Sequence, residues 1–239
     1  MNKLTLIILV FVFNFFYCNG QLLSEATKQS SVIKNGVVKY KMVVESENPQ
    51  AKMMNNSTLE IAFCGSDTKA NGLLMGGLLG AQITMDLLNG KGLALLTIMG
   101  QKKAVKMNND DFKWAQNSTN SLSGEINFTP VKGTQKVAGY ACKKYLVKDP
   151  KNPDVQTTVF ICESIKPDSG GLMDNILKTY KGFPLGFEVK SKEAKMSFMA
   201  SEVSTKLLKK SDFKQEIPAE FELTTMENLM KDMGPMFKN

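Results

Sequence analysis

The chain has no histidine and no arginine, and its thirty basic residues are all lysine. Histidine is the only side chain whose ordinary pKa lies near neutrality, so it serves most acid-base and nucleophile-activating sites. It is also the commonest metal ligand. Arginine supplies the planar, bidentate grip on phosphates, carboxylates and guanine edges that lysine does not reproduce. These absences argue against a conventional hydrolase, a metalloenzyme and a sequence-specific DNA reader. The sequence also lacks a phosphate-cradling glycine loop followed by Lys-Ser/Thr, a nucleophile elbow and an internal repeat. No cofactor is expected.

What is present begins with an export signal. Lys3 is the only charge in the first twenty residues, and an apolar run extends from Leu4 to Tyr17. Cys18 and Gly20 occupy the small-residue positions of a cleavage site before Gln21. We read residues 1–20 as a signal peptide, and residues 21–239 as one domain with enough chain for a single core. The bulky Tyr17 argues against lipidation at Cys18. Past residue 20 the chain carries 29 lysines (thirty less Lys3) against 23 acids, a net charge of +6. The lysines are spread along the chain. A nucleic-acid groove would want basic runs interleaved with exposed aromatics, so no nucleic-acid partner is expected. No later stretch is apolar for long enough to span a bilayer.

Cys64, Cys142 and Cys162 follow the signal, an odd number that suggests one disulfide and one buried thiol. Cys142 and Cys162 flank the turn-rich segment Asp149–Asp154 at nearly equal distances, which sets them opposite each other in a hairpin. A structural disulfide between them is expected. Two unbonded cysteines facing each other in a sheet are the alternative.

The dominant hydrophobic period is two, which argues for strands. Val38, Tyr40, Met42 and Val44 alternate with polar residues, as do Leu59, Ile61 and Phe63 with Glu60 and small residues. A meander follows, through Ile83–Leu88, Leu93–Met99 and Lys102–Met107, with turns at Asn89–Gly92 and Gly100–Gln101. Asn108–Ser123 is a polar loop that contains the single tryptophan, Trp114. A long hairpin then pairs Lys136–Lys148 with Val155–Glu163, and Phe183–Lys190 with Lys195–Val203 forms the next pair. Leu172–Tyr180 and the stripe Met226, Leu229, Met230, Met233 and Phe237 have helical spacing. Gly234-Pro235 should stop or kink the second of these. The expected fold is α+β and mostly antiparallel: one large sheet with two or three short helices across the face it must bury.

The most unusual segment is Gly72–Gly80, four glycines among four leucines and a methionine, a poor helix and a poor strand. One reading is a mobile apolar flap that lies over a cavity or enters a lipid headgroup layer. The other is a buried loop or a distorted helix under the sheet. Met230, Met233 and Met236 have the spacing of a Cu(I) site, but they fit the apolar stripe of a helix better, so no metal is expected. Asp110-Asp111 lacks the spaced oxygen ligands of a calcium loop and reads as a solvated turn. Asn55, Asn56, Asn117 and Asn127 each begin an Asn-x-Ser/Thr pattern.

Three patches resemble an exported bacterial domain family of unknown function, related to the lipoprotein-sorting carriers LolA and LolB. Gly139-Tyr140-Ala141-Cys142-Lys143-Lys144-Tyr145 resembles that family's G-x-x-C-x-K-Y strand. Gly182-Phe183-Pro184-Leu185 is similar to its G-x-P-L strand entry, and Phe213 through Ile217-Pro218 to Phe221 to its closing segment. The resemblance implies an unclosed half-barrel of antiparallel strands with helices on the concave side. In the carriers that cavity holds the acyl chains of a lipoprotein. The carriers use arginine there, and this chain has none.

The expectation is thus a non-enzymatic, exported, periplasmic or envelope-associated protein that binds a lipid, acyl chain or lipoprotein between sheet and lid. Peripheral membrane contact fits the same reading. Leu73, Leu74, Met75, Leu78 and Leu79 are the expected lid or mouth residues. The alternative is an envelope interaction module that docks a protein partner on the same apolar surface and holds no lipid.

Overall fold

The computed structural model describes residues 32–111, 127–148, 153–167 and 182–233. The signal segment with Cys18, Trp114, the helical pattern Leu172–Tyr180, and the residues from Gly234 onward lie outside the described residues.

The described chain forms one sheet from two meanders. The first runs β1 (Asn35–Ser46), β2 (Thr58–Cys64), β3 (Asp67–Leu74), β4 (Leu79–Asp86), β5 (Lys91–Ile98) and β6 (Gln101–Met107). The second runs β7 (Asn127–Val137), β8 (Tyr140–Lys148), β9 (Gln156–Cys162), β10 (Phe183–Lys190) and β11 (Ala194–Ser204). They join where β11 pairs with β1, and the short β12 (Glu222–Thr224) adds parallel to β6. The spatial order is β12-β6-β5-β4-β3-β2-β1-β11-β10-β9-β8-β7, so β12 and β7 are edges and the sheet is unclosed. Every other pair is antiparallel, as short connections require.

The two halves differ in regularity. From β1 to β6 the register is unbroken. The other half has register shifts at Lys39/Tyr40, Pro184/Gly186 and Val131/Thr134. Bulges bend a strand and increase its twist. The sheet accordingly curls here. Four strand spacings would hold β7 about 19 Å from β11 in a flat sheet, yet their Cα atoms come within 8 Å.

One face of the sheet carries the core. Val38, Tyr40, Met42 and Val44 alternate inward from β1, with Ile61 and Phe63 beside them on β2. Tyr40 stacks on Phe198 at 5.4 Å and donates a 2.7 Å hydrogen bond from its hydroxyl to the Pro184 carbonyl. That carbonyl lies at the bulge, where the ladder leaves acceptors over. Burial holds the Tyr40 phenol well above its ordinary pKa, so it remains a donor.

After β11 the chain crosses the opposite face as a strap. Leu208 exchanges hydrogen bonds with the Asn35 side chain (3.2 and 3.3 Å), and Gln215 donates to the Lys91 carbonyl. Ile217 and Phe221 pack on Leu93, Leu95 and Ala104, which point away from the main core. The strap then rounds the β6 edge as β12, and helix α2 (Met226–Met233) returns Leu229 to the main core, with Met226 packed against it. The β6 edge is therefore clipped from both sides. Helix α1 (Pro49–Lys52) is a single turn. The expected closing patch Phe213–Phe221 is part of this strap, with Phe213 buried.

Three expectations need correction. Lys136–Lys148 is not one strand: it turns at Ala138-Gly139, where both residues have positive φ. Gly72–Gly80 is neither an isolated flap nor a buried loop. Gly72 is paired within β3 and Gly80 within β4, so the segment is the end of a β-hairpin. Cys142 and Cys162 do sit directly opposite each other, but both are free thiols. Each sulfur has found another polar neighbour, Cys162 Sγ at 3.1 Å from Ser164 Oγ and Cys142 Sγ at 3.5 Å from the Tyr140 carbonyl. The hydrogen bond with Cys162 and burial together hold Cys142 protonated.

The hairpin's far end carries a local conflict. Asp67 and Asp86 face each other across the ladder, and like charges so placed are destabilising. Asn89 donates to Asp86 through its backbone and side chain (3.1 and 2.6 Å), which lowers the pKa of Asp86. Burial first, then Asp86, raises that of Asp67. A carboxyl with a raised folded-state pKa favours folding once protonated and opposes it as pH climbs through that pKa. Asp67→Asn should therefore raise the melting temperature at pH 7, and the gain should vanish in acid. Equal melting temperatures at neutral pH would show that the strap's Lys210 already compensates the pair.

Candidate functional site

The inner face of β3, β4 and β5 changes character along its length. Ala70, Ile83 and Ala94 share one cross-strand row with Val105 of β6, and all four are at most 4% exposed. Two residues nearer the hairpin end, Gly72 and Ala81 are half-buried beside Leu96. In the last row Leu74 faces Leu79, Leu79 faces Ile98, and all three are half-buried. Met75 follows at the turn, also half-buried, with its N–H donated to Ser57 Oγ at 3.3 Å. Leu74, Met75, Ala81 and Ile98 pack against the core from its rim. The apolar inner face thus opens toward one end of the sheet.

The local sequence explains the shape. Met75-Gly76-Gly77 turns the chain through positive φ at all three residues (53°, 67° and 96°), and a Cβ at either glycine would meet nothing within 4 Å. These glycines serve backbone conformation rather than close packing. Gly72 has ordinary contacts only, its nearest at 3.9 Å, so it lowers the wall of the inner face without being needed for the fold.

The five expected mouth residues divide by strand alternation. Leu74, Met75 and Leu79 lie at the rim of the inner face and come together there. Leu73 points to the opposite face and is 55% exposed, while Leu78, in the turn, is 47% exposed. A sixth residue belongs to the site and was not singled out in the sequence. Lys103 is cross-strand partner to Leu96, which places its side chain on the inner face in the row of Gly72 and Ala81. Its ammonium lies 2.6 Å from the Glu222 carboxylate, with the lysine largely buried and the glutamate 70% exposed. The signal was present in Lys103-Ala104-Val105-Lys106-Met107, where one lysine falls in phase with two buried residues.

Other candidates have structural employment. Cys64 Sγ accepts from Asn35 Nδ2 at 3.2 Å and reaches the Leu208 carbonyl at 3.5 Å, holding the strap down. Asp110 and Asp111 lie not in a free turn but in the first helical turn that begins at residue 109, capped by Asn108, whose Oδ1 accepts from both backbone N–H groups (2.8 and 3.2 Å). Asn55 uses its side chain to bridge both backbone groups of Val44.

No protein-family model matches the chain, and no curated protein matches it. Among solved structures, the complex of MucA and MucB from Pseudomonas aeruginosa is similar at 12% identity and a TM-score of 0.40, over 81% of this chain and 59% of that one. PNGF-II is similar at 15% identity and a TM-score of 0.39, over 83% of this chain but only 32% of that one. The lipoprotein LppX of Mycobacterium tuberculosis is similar at 11% and 0.35, over 72% of this chain and 88% of that one. This chain thus spans less than two thirds of the first two. Likenesses this distant carry no argument about ligand or activity.

Proposed function

We propose that this is a non-catalytic binding protein that shelters the apolar chain of a lipid or other acyl amphiphile on its inner face. The observation that carries the reading is the half-buried apolar rim of Leu74, Met75 and Ile98, packed on a fully buried core, with half-buried Leu79 standing between Leu74 and Ile98. An apolar surface left half-wet costs free energy, and a chain laid over it contributes about 0.8 kcal/mol per methylene buried. Lys103 ends the adjoining row and suits an acidic headgroup, whose charge would exchange with that of the exposed Glu222. Lipid delivery, export and the particular acyl ligand belong to the same proposal.

The test is native mass spectrometry of the protein purified gently from its own cells, followed by organic extraction. A stoichiometric extra mass that extracts as lipid is the expected result. A bare polypeptide mass under the same conditions would overturn tight lipid binding and turn the search to a protein partner.

A further inference from the structure

We propose that the row of turns at the open end of the sheet is a membrane-docking rim that seats among the headgroups of an anionic bilayer. Three consecutive turns meet there. Ser57, closing the loop that holds Met53, accepts from Met75, and Met99 donates its N–H to the Leu78 carbonyl at 2.9 Å. Across them stand Met53, Leu73, Leu78 and Met99, exposed at 47, 55, 47 and 70%.

The backbone shows that the apolar tips are retained against a local cost. Met99 has φ 49° and Gly100 φ 88°, a two-residue turn with positive φ at both positions. Asparagine or glycine is at home in the first of these positions, and a long side chain is not. Met75 repeats the pattern at φ 53°. Among the described residues, the other non-glycine positions with positive φ are an asparagine and an alanine, Asn56 and Ala138. An exposed methionine in a left-handed turn serves neither folding nor solubility, and strain of this kind points to a surface in use.

The shape and charge select the partner. Protruding tips need a medium that parts around them, which a bilayer supplies and a flat protein surface does not. The loop 47–57 and the turns 75–78 and 99–100 with the following Gln101-Lys102 contain Lys52 and Lys102 against a single acidic residue, Glu47. Lys102 lies 5.6 Å over the Phe221 ring and pairs with Glu220 at 3.5 Å, an exposed ion pair that is easily exchanged for a lipid phosphate. Apolar tips plus basic charge is the combination that gives reversible interfacial binding. The turn 75–78 borders both surfaces, but Leu78 and Met99 lie outside the inner-face rim, so a variant at these two tips tests docking apart from lipid retention.

The experiment is flotation of the purified protein with phosphatidylcholine vesicles, with and without phosphatidylglycerol. The wild type should float with the mixed vesicles and far less with phosphatidylcholine alone or in high salt. A Leu78→Ser, Met99→Asn variant should lose about tenfold or more in partition. Its melting temperature should hold or rise, because asparagine suits the turn better than methionine does. A wild type that stays in the supernatant, or a variant that floats equally well, overturns the proposal. So does a wild type that self-associates in light scattering through these tips and ignores vesicles.

Discussion

A Leu74→Asp, Leu79→Asp variant is expected to emerge from gentle purification folded but without lipid. The two leucines face each other at the inner-face rim, and each is half-buried. Replacing them removes about 3 kcal/mol or more of apolar contact with a chain lying across the pair, a loss of about a hundredfold in affinity. The new carboxylates add the cost of stripping water from charge wherever a chain covers them. Stability should fall, because Leu74 loses its contact with the core and the two new carboxylates face each other across the ladder, but the backbone pairing of the hairpin is untouched and the sheet should still form. Leu73→Asp is the internal control. It adds one such charge next to Leu74 but on the other face, at a side chain already 55% exposed, and should retain lipid. If Leu73→Asp empties the protein as thoroughly as the double variant, face does not matter and the inner-face reading fails. Retention by the double variant would overturn it as directly.

That contrast rests on alternation, and alternation is also what made much of the sheet legible. Val38–Val44, Leu59–Phe63 and Lys195–Val203 were readable because apolar residues recur at every second position, and Leu93–Met99 and Phe183–Lys190 because short, largely apolar runs are bounded by turn residues. β3 was missed for the complementary reason. Its inward residues beyond Thr68 and Ala70 are Gly72 and Leu74, and its outward ones are Asp67, Lys69 and Asn71, all poor strand formers. Its neighbours β2 and β4 impose the strand, which local sequence alone does not reveal. Val137-Ala138-Gly139-Tyr140 hid its turn because only one glycine marked it. At the site, the leucines of Gly72–Gly80 were conspicuous by composition, but which of them face inward depends on a register set by the missed strand. Lys103 needed the same register before its phase meant anything.

The curled half offers the sharpest stability test. Gly182→Ala should lower the melting temperature by about 2–12 °C, taking an overpacking cost of about 1–3 kcal/mol at about 2–4 °C per kcal/mol for a domain this size. A Cβ at Gly182 would stand 2.5 Å from the Cys162 carbonyl oxygen, 2.8 Å from its carbon and 2.9 Å from the Glu163 Cα. All three are backbone atoms, so no rotamer change relieves the overlap. Relief requires β10 to draw away from the end of β9, where Phe183 pairs with Cys162 and packs its ring 5.5 Å from that of Phe63. The next residue, Pro184, gives the carbonyl that accepts from the buried Tyr40 hydroxyl, and a shift there would stretch that buried hydrogen bond. Gly72→Ala is the matched comparison: same substitution, also in the sheet, nearest contact 3.9 Å and no positive φ. It should be neutral or slightly stabilising, since alanine restricts the unfolded chain more than glycine does. Equal effects from the two substitutions, read by calorimetry, would mean that the β9–β10 junction yields and that the curl is not fixed by close backbone contact.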